Sequence, residues 1–285
     1  MAIPKDKKIL IVGLGLLGGS YAKALTKQGY EVKCITRRQS SVDYALAEGM
    51  ISCGTIEVDP ELIGESDLIV FALYPHVFID WIKTYGQYLT PGTIITDVTG
   101  VKCAVVYEIQ SLLPEGVEFI AAHPMAGREV YGVENSDERI FQGANYIVTP
   151  TDKNSPDAIE LCKELGRTLG FARISELTPE KHDEMIAFLS QLTHCIAVAL
   201  MTANTDPRLV DYTGDSFRDL TRIARINEDM WSELFLLNKD KLVAQIDAFS
   251  GELNRMRTYL ADENIDKMKE MMRISTERRA LFDKK

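Results

Sequence analysis

A short apolar run, Ile9–Val12, ends in Gly13-Leu14-Gly15-Leu16-Leu17-Gly18, and the residues that follow fall into helical spacing at Leu17, Tyr21, Ala24 and Leu25. Three glycines at this interval, between a strand-like run and a helix, leave the backbone few options. Gly13 permits a tight turn, Gly15 lets another group approach the main chain, and Gly18 allows the helix to sit close on the strand. Gly29 then serves as a C-cap.

The alternation continues. Glu31–Thr36, Asp67–Leu73, Thr93–Val98, Glu118–Ala122 and Asn145–Thr149 read as strands, and Val77–Leu89 reads as a helix. Ser155–Leu169 is a helix capped by Ser155, and Phe171–Ile174 is a last strand. Strands alternating with helices specify an α/β fold, an N-terminal Rossmann doubly wound parallel sheet. In that setting the glycine run is a dinucleotide cradle, with the free N–H groups of a helix N-terminus turned toward the phosphates. Gly13, Leu14, Gly15, Leu16, Leu17 and Gly18 are the expected cofactor contacts, joined by Leu73 and Thr99 at the ends of later strands. The end of the second strand, Thr36-Arg37-Arg38, lacks the acid that accepts from an NAD ribose. A hydroxyl and two guanidinium groups suit a 2′-phosphate, so NADP is expected and NAD is the alternative.

From Thr178 onward the sequence reads as helix, with Thr178 as cap and Pro179 at the first position. The expected division is a dinucleotide-binding domain over 1–175 and an all-α C-terminal substrate-binding and dimerisation domain over 176–285. The helix reaching Ala203 is apolar all round and is expected to be buried. Another is expected to run from Asn227 to Leu260, roughly 50 Å at 1.5 Å per residue. Leu242, Ile246, Phe249, Leu253, Met256 and Leu260 form a heptad seam along it. That seam implies a homodimer, with packing inside the same chain as the alternative.

A net charge of −10 gives no electrostatic footprint for nucleic acid. Five scattered cysteines without a CxxC pair suggest neither disulfides nor a metal site, and point to a reducing, cytoplasmic setting. No run of 18 apolar residues and no signal peptide is read, so no membrane partner is expected. With Lys285 as the last residue, no additional regulatory domain is expected either.

Three segments carry candidate chemistry. His123 lies just past a strand in Ala122-His123-Pro124-Met125-Ala126-Gly127-Arg128-Glu129, where doubly wound sheets bind ligands and where an imidazole suits acid–base work. Asp183, Ala187, Ser190 and His194 share one face of the apolar helix, and the polar ones need partners or a polar cavity. Phe217-Arg218-Asp219-Leu220-Thr221-Arg222-Ile223-Ala224, followed by Met230-Trp231, sets arginines among apolar neighbours, as an anion site would.

Together these segments resemble the prephenate/arogenate dehydrogenase family. The resemblance runs from Val12-Gly13-Leu14-Gly15 to Met230-Trp231. It implies that His123 hydrogen-bonds the substrate's ring hydroxyl, that His194 helps hold the substrate side chain, and that Arg222 binds a carboxylate. Glu129, Asp183 and Trp231 match positions that line or support the site, and Ser190 joins them on the polar stripe. Two departures stand out. In Asp97-Val98-Thr99-Gly100-Val101-Lys102 a glycine occupies the place of the serine that assists the histidine, so Thr99 is expected to supply the hydroxyl. Gly214-Asp215-Ser216 also departs from the family's glycine-rich run, and Asp215 could meet the amino group of arogenate. The implied reaction is the oxidative decarboxylation of prephenate to 4-hydroxyphenylpyruvate, or of arogenate to tyrosine. The alternatives are a two-domain reductase of the β-hydroxyacid dehydrogenase or imine reductase type, and a non-catalytic dinucleotide sensor.

Overall fold

The structure, a computed structural model, describes residues 3–128 and 130–282. Its chain divides into two compact units, Met1–Asn238 and Lys239–Lys285.

The first unit is built on a six-stranded parallel sheet of order β3-β2-β1-β4-β5-β6. Its strands are β1 (Ile9–Val12), β2 (Val32–Ile35), β3 (Cys53–Thr55), β4 (Leu68–Phe71), β5 (Ile94–Asp97) and β6 (Glu118–Phe119). This is the expected Rossmann topology, with its crossover between β1 and β4. β1 is buried along its whole length, as a strand covered on both faces must be. Its side chains alternate: Ile9 and Ile11 enter one apolar cluster, and Leu10 and Val12 the other. The helices between the strands are α1 (Leu16–Lys27), α2 (Gln39–Ala47), α3 (Pro60–Gly64), α4 (Pro75–Tyr85) and α5 (Cys103–Leu112). The strand β3 and the helices α2, α3 and α5 were not read from the sequence. β3 has only three residues, one of them glycine, and shows no apolar period.

The strand expected over Glu118–Ala122 is two. The chain turns at Ile120 into β7 (Ala121–Pro124), which leaves the large sheet and pairs antiparallel with β8 (Asn145–Thr149). β8 pairs in turn with β9 (Arg173–Glu176). His123 therefore lies within a strand, opposite Ile147, and not after one. Between β8 and β9 runs α6 (Pro156–Leu169), opened by Ser155, whose hydroxyl accepts from the Ala158 N–H, and closed by Gly170 at φ 91°.

α7 (Pro179–Ile186) starts as expected, with the Thr178 side chain accepting from the Lys181 N–H. It continues through a π-helical segment, Ala187–Leu192, into α8 (Thr193–Thr202). This stretch is long and apolar enough to cross a membrane by length and composition alone, yet it buries His182, Asp183 and Gln191. The expectation of all-round burial is not met. Phe188, Leu189, Leu200 and Met201 are exposed, because the stretch packs along one side only.

The long helix expected from Asn227 to Leu260 is also two, α10 (Glu228–Leu237) and α11 (Lys239–Ala261), after the short α9 (Asp215–Thr221). Asn238 breaks it. Its backbone leaves the helical region at φ −123°, ψ 24°, and its buried amide donates to the Asp183 carbonyl and to Gln191 Oε1. The second unit is the helical pair α11 and α12 (Ile265–Ala280), packed on each other. Glu263, at φ 53°, makes the turn between them, and the Asn264 side chain caps α12.

Two glycines of the first turn separate packing from ligand space. A Cβ on Gly18 would lie 2.0 Å from the Gly13 carbonyl oxygen, whereas one on Gly15 meets nothing within 4 Å. Gly18→Ala should therefore lower stability by about 1–3 kcal/mol through overpacking, and Gly15→Ala by less than about 1 kcal/mol. Urea titration followed by circular dichroism checks this, and equal midpoints for the two variants would contradict it.

Candidate active site

Asp97, the last residue of β5, is fully buried and receives several donors at once. Its Oδ2 pairs with Lys102 Nζ at 2.7 Å and accepts the Thr99 N–H at 3.0 Å and the Thr99 hydroxyl. Its Oδ1 accepts the Ala122 N–H of β7 at 3.0 Å. Lys102, equally buried, also donates to the Ala122 carbonyl at 2.6 Å. Burial pushes the Lys102 ammonium down from its ordinary value, and Asp97 opposes that shift. One ion pair thus ties β5, the turn after it and β7 together, immediately before His123.

His123 Nδ1 lies 2.8 Å from His182 Nε2, and His182 Nδ1 lies 2.8 Å from Asp183 Oδ1. Asp183 also accepts the backbone N–H groups of Lys102 and Cys103, each at 2.8 Å, at the start of α5. Burial alone would raise its carboxyl, but the bonds from His182 and the two amides hold it below the usual carboxylate range. His123 is pushed well below the ordinary imidazole range, first by burial and then by His182 and Lys102. Burial likewise lowers His182. Both imidazoles are therefore neutral at neutral pH.

Thr99 does not serve as expected. Its hydroxyl is buried and engaged with Asp97, with the Val101 carbonyl at 2.9 Å and with Lys102 Nζ at 3.2 Å, and none of these is His123. At Gly100 a Cβ would stand 3.9 Å from His123 Cε1 and 3.5 Å from Leu234 Cδ1, so the position beside the imidazole is spacious.

A second group gathers on α8 and α10. The His194 ring stacks on Trp231, with centroids 3.7 Å apart, and its Nδ1 is 2.9 Å from the Ser190 carbonyl. Ser190 lies in the π-helical segment and is half-buried. Arg222 begins a 3-10 turn, Arg222–Ala224, that packs on α8. The two groups are linked. Leu234 stands one turn beyond Trp231 on α10 and faces Gly100, and its carbonyl accepts from Gln191 Nε2 at 2.9 Å. Glu233 receives the His76 N–H at 2.8 Å at the start of α4, so α10 is also held at the carboxyl end of β4. Asp215 is solvent-facing and paired with Arg218 at 3.4 Å, which leaves little support for a role in recognising an amino group. Glu129 lies outside the described residues.

At the glycine turn, Gly13 adopts φ 96°, and its N–H donates to the Ile35 carbonyl at 2.8 Å. The first turn of α1 has no side-chain cap and no acidic residue. With the open space over Gly15, uncapped N–H groups face room for a phosphate, so these residues fit a dinucleotide. The Leu14 side chain is buried in the core, so only its backbone can face a ligand, while Leu16, Leu17 and Leu73 are half-buried. Thr36 Oγ1 accepts the Leu14 N–H at 3.3 Å, and Arg37 and Arg38 are exposed where β2 ends.

Residues 21–175 match the profile of the prephenate dehydrogenase nucleotide-binding domain, and residues 178–274 match that of the prephenate dehydrogenase dimerization domain. The chain belongs to the prephenate dehydrogenase family. A Bacillus subtilis prephenate dehydrogenase is 31% identical over 91% of this chain and 72% of its own length. A cyclohexadienyl dehydrogenase from Zymomonas mobilis is 28% identical over 96% and 95%. Among solved structures, prephenate dehydrogenase from A. aeolicus, in complex with hydroxyphenyl propionate and NAD+, superposes with a TM-score of 0.90 at 28% identity. That match covers 98% of this chain and 99% of the other. The N-terminal part thus matches a nucleotide-binding domain, and the A. aeolicus protein is seen with NAD+.

Sequence reasoning missed His182, Lys102 and Asp97. His182 sits next to Asp183, off the polar stripe, and only the fold brings it to His123. Asp97 and Lys102 carried a usable signal, since an acid at a strand end and a lysine before a helix are both difficult to bury unless they pair.

Proposed function

We propose that this chain oxidatively decarboxylates prephenate to 4-hydroxyphenylpyruvate. The observation that carries the reading is His123: half-buried, neutral, fixed from behind on Nδ1, and with its Cε1 beside the side-chain-free Gly100. Gly13, Gly15 and the N-terminus of α1 would hold a nicotinamide dinucleotide, which would supply the acceptor for the hydride of the carbinol carbon. His123 Nε2 takes the hydroxyl proton as that hydride leaves and returns it to the phenolic oxygen as carbon dioxide departs. The electrons of the broken carbon–carboxylate bond enter the ring, and no net proton is released. Arg222 binds a substrate carboxylate, and His194, stacked on Trp231, holds the side chain with Ser190 nearby. Asp183 acts indirectly, through the backbone of Lys102 and Cys103 and through His182.

Turnover of prephenate and arogenate, each followed by absorbance of the reduced nicotinamide, tests this. Prephenate should be the better substrate by kcat/KM. His123→Asn should lower kcat about 10²–10⁴-fold with KM nearly unchanged, because the proton moves only in the transition state. Arg222→Ala should raise KM about 10–100-fold, the worth of a charge-assisted pair. Since His123 lies below the usual imidazole range, kcat should hold through mildly acidic pH and fall only below that depressed pKa, as the imidazole gains a proton. Near-normal kcat in His123→Asn, or turnover of arogenate alone, would overturn the assignment.

NADP is the proposed preferred cofactor, supported by exposed Arg37 and Arg38 at the end of β2 and by the absence of an acid there. Replacing both with Ala should raise KM for NADP by at least tenfold more than KM for NAD. A wild type that uses NAD better, or equal losses with both cofactors, would reverse this.

A homodimer through α11 is likewise proposed. The dimerization-domain match covers it, and Phe249, Leu253 and Leu260 of its seam are exposed. Phe249→Glu with Leu253→Lys should give monomers in sedimentation at micromolar concentration. A monomeric wild type would refute the proposal.

A further inference from the structure

Every described donor and acceptor around the back of His123 is accounted for, and the pattern admits a single tautomer. The Asp183 carboxylate can only accept. His182 Nδ1, 2.8 Å from it, must therefore carry the proton, which leaves His182 Nε2 as a bare lone pair. That lone pair lies 2.8 Å from His123 Nδ1, so His123 Nδ1 must be the donor. The proton of neutral His123 is then on Nδ1, and its Nε2 is bare. The end of the chain cannot swing, because Asp183 is held by the Lys102 and Cys103 amides while His182 is fully buried. Neighbouring groups do not share the task. The Thr99 hydroxyl is turned to Asp97, Val101 and Lys102, and Gly100 offers no side chain.

We propose that His182, aligned by Asp183, is the positioning residue that fixes His123 in its Nδ1–H tautomer and so presents the Nε2 lone pair to the substrate hydroxyl. This rests on His123 being the proton acceptor. It adds a residue that touches neither substrate nor cofactor and acts wholly through His123. The logic is that of any aligned acid–imidazole pair, in which the acid selects the tautomer, here extended by one imidazole.

Two measurements test it. The sequence contains four histidines, so nitrogen-15 spectra of the histidine-labelled protein with cofactor bound can be assigned by single substitutions. His123 and His182 should each show a protonated Nδ1 and an unprotonated Nε2 at neutral pH. A protonated Nε2 on His123 of the unsubstituted protein would overturn the proposal. The second measurement is kinetic. His182→Leu fills the buried space but accepts nothing, and should lower kcat about 10–100-fold with KM for substrate and cofactor changed less than about twofold. His182→Gln can still accept the Nδ1 proton and should recover at least half of the lost kcat on a logarithmic scale. Equal losses in Leu and Gln variants, or a loss expressed mainly in KM, would mean that His182 only fills space, and the proposal would fail. If His123→Asn keeps its kcat, the acceptor reading itself fails. If His123→Asn is crippled while His182→Leu is not, only the positioning role fails.

Discussion

The buried pair between Asp97 and Lys102 holds this site in place. Two charges with no exposed side-chain surface are costly to bury, and their mutual attraction offsets that cost only when the remaining hydrogen-bonding capacity is also filled. Here it is filled by structure. Asp97 draws in the Ala122 amide and Thr99, Lys102 draws in the Ala122 carbonyl, and the Lys102 amide reaches Asp183. Between them those contacts fix three elements: β7, the turn after β5, and α7. His123 follows Ala122 directly, so the imidazole inherits its position from the pair. Removing either charge would leave its partner buried and uncompensated, and three elements would lose their common point of attachment.

The helical part adds a second layer of control. α10 carries Trp231 toward His194 and Leu234 toward Gly100, and its end is fixed by Asn238, which donates to the Asp183 carbonyl and to Gln191. The same aspartate thus serves the imidazole chain with its carboxylate and anchors the end of α10 with its carbonyl. The chemistry and the stacking surface beside it are coupled through one residue of α7.

Much of this was legible beforehand, and the pattern of what was not is physical. The glycine turn, the strands β1, β2, β4 and β5 and the capped starts of α6 and α7 are local: period, cap and turn chemistry lie within a few residues of each other. His123, Asp183, His194, Arg222 and Trp231 stand out as candidates because their neighbours make a recognisable sequence. His182 does not, because its meaning depends on a residue 59 positions away. The break at Asn238 was missed for the same reason, since the apolar spacing on either side continues across it and only a buried amide decides the matter. Thr99 shows the opposite error: a hydroxyl beside the right position was expected to substitute for a missing one, but the backbone turns it toward Asp97. Exposure of Phe188, Leu189 and Met201 was misread because hydropathy alone does not say what covers an apolar face.

The π-helical turn at Ala187–Leu192 constrains the length of this stretch as well as its composition. A π segment holds one residue more than the α-helical path it replaces, and so offsets everything after it by about 100° around the axis and about 1.5 Å along it. Asp183 lies before this offset and His194 after it. Loss of a single residue would let the same path be spanned by ordinary α-helix, whereas relaxation into α-helix at unchanged length would rotate α8 relative to α7 by about 100°. His194 would then leave the face of Trp231 even though every side chain named above was still present. Within these six residues a single deletion should be better tolerated than a single insertion, a form of sequence constraint set by helical phase.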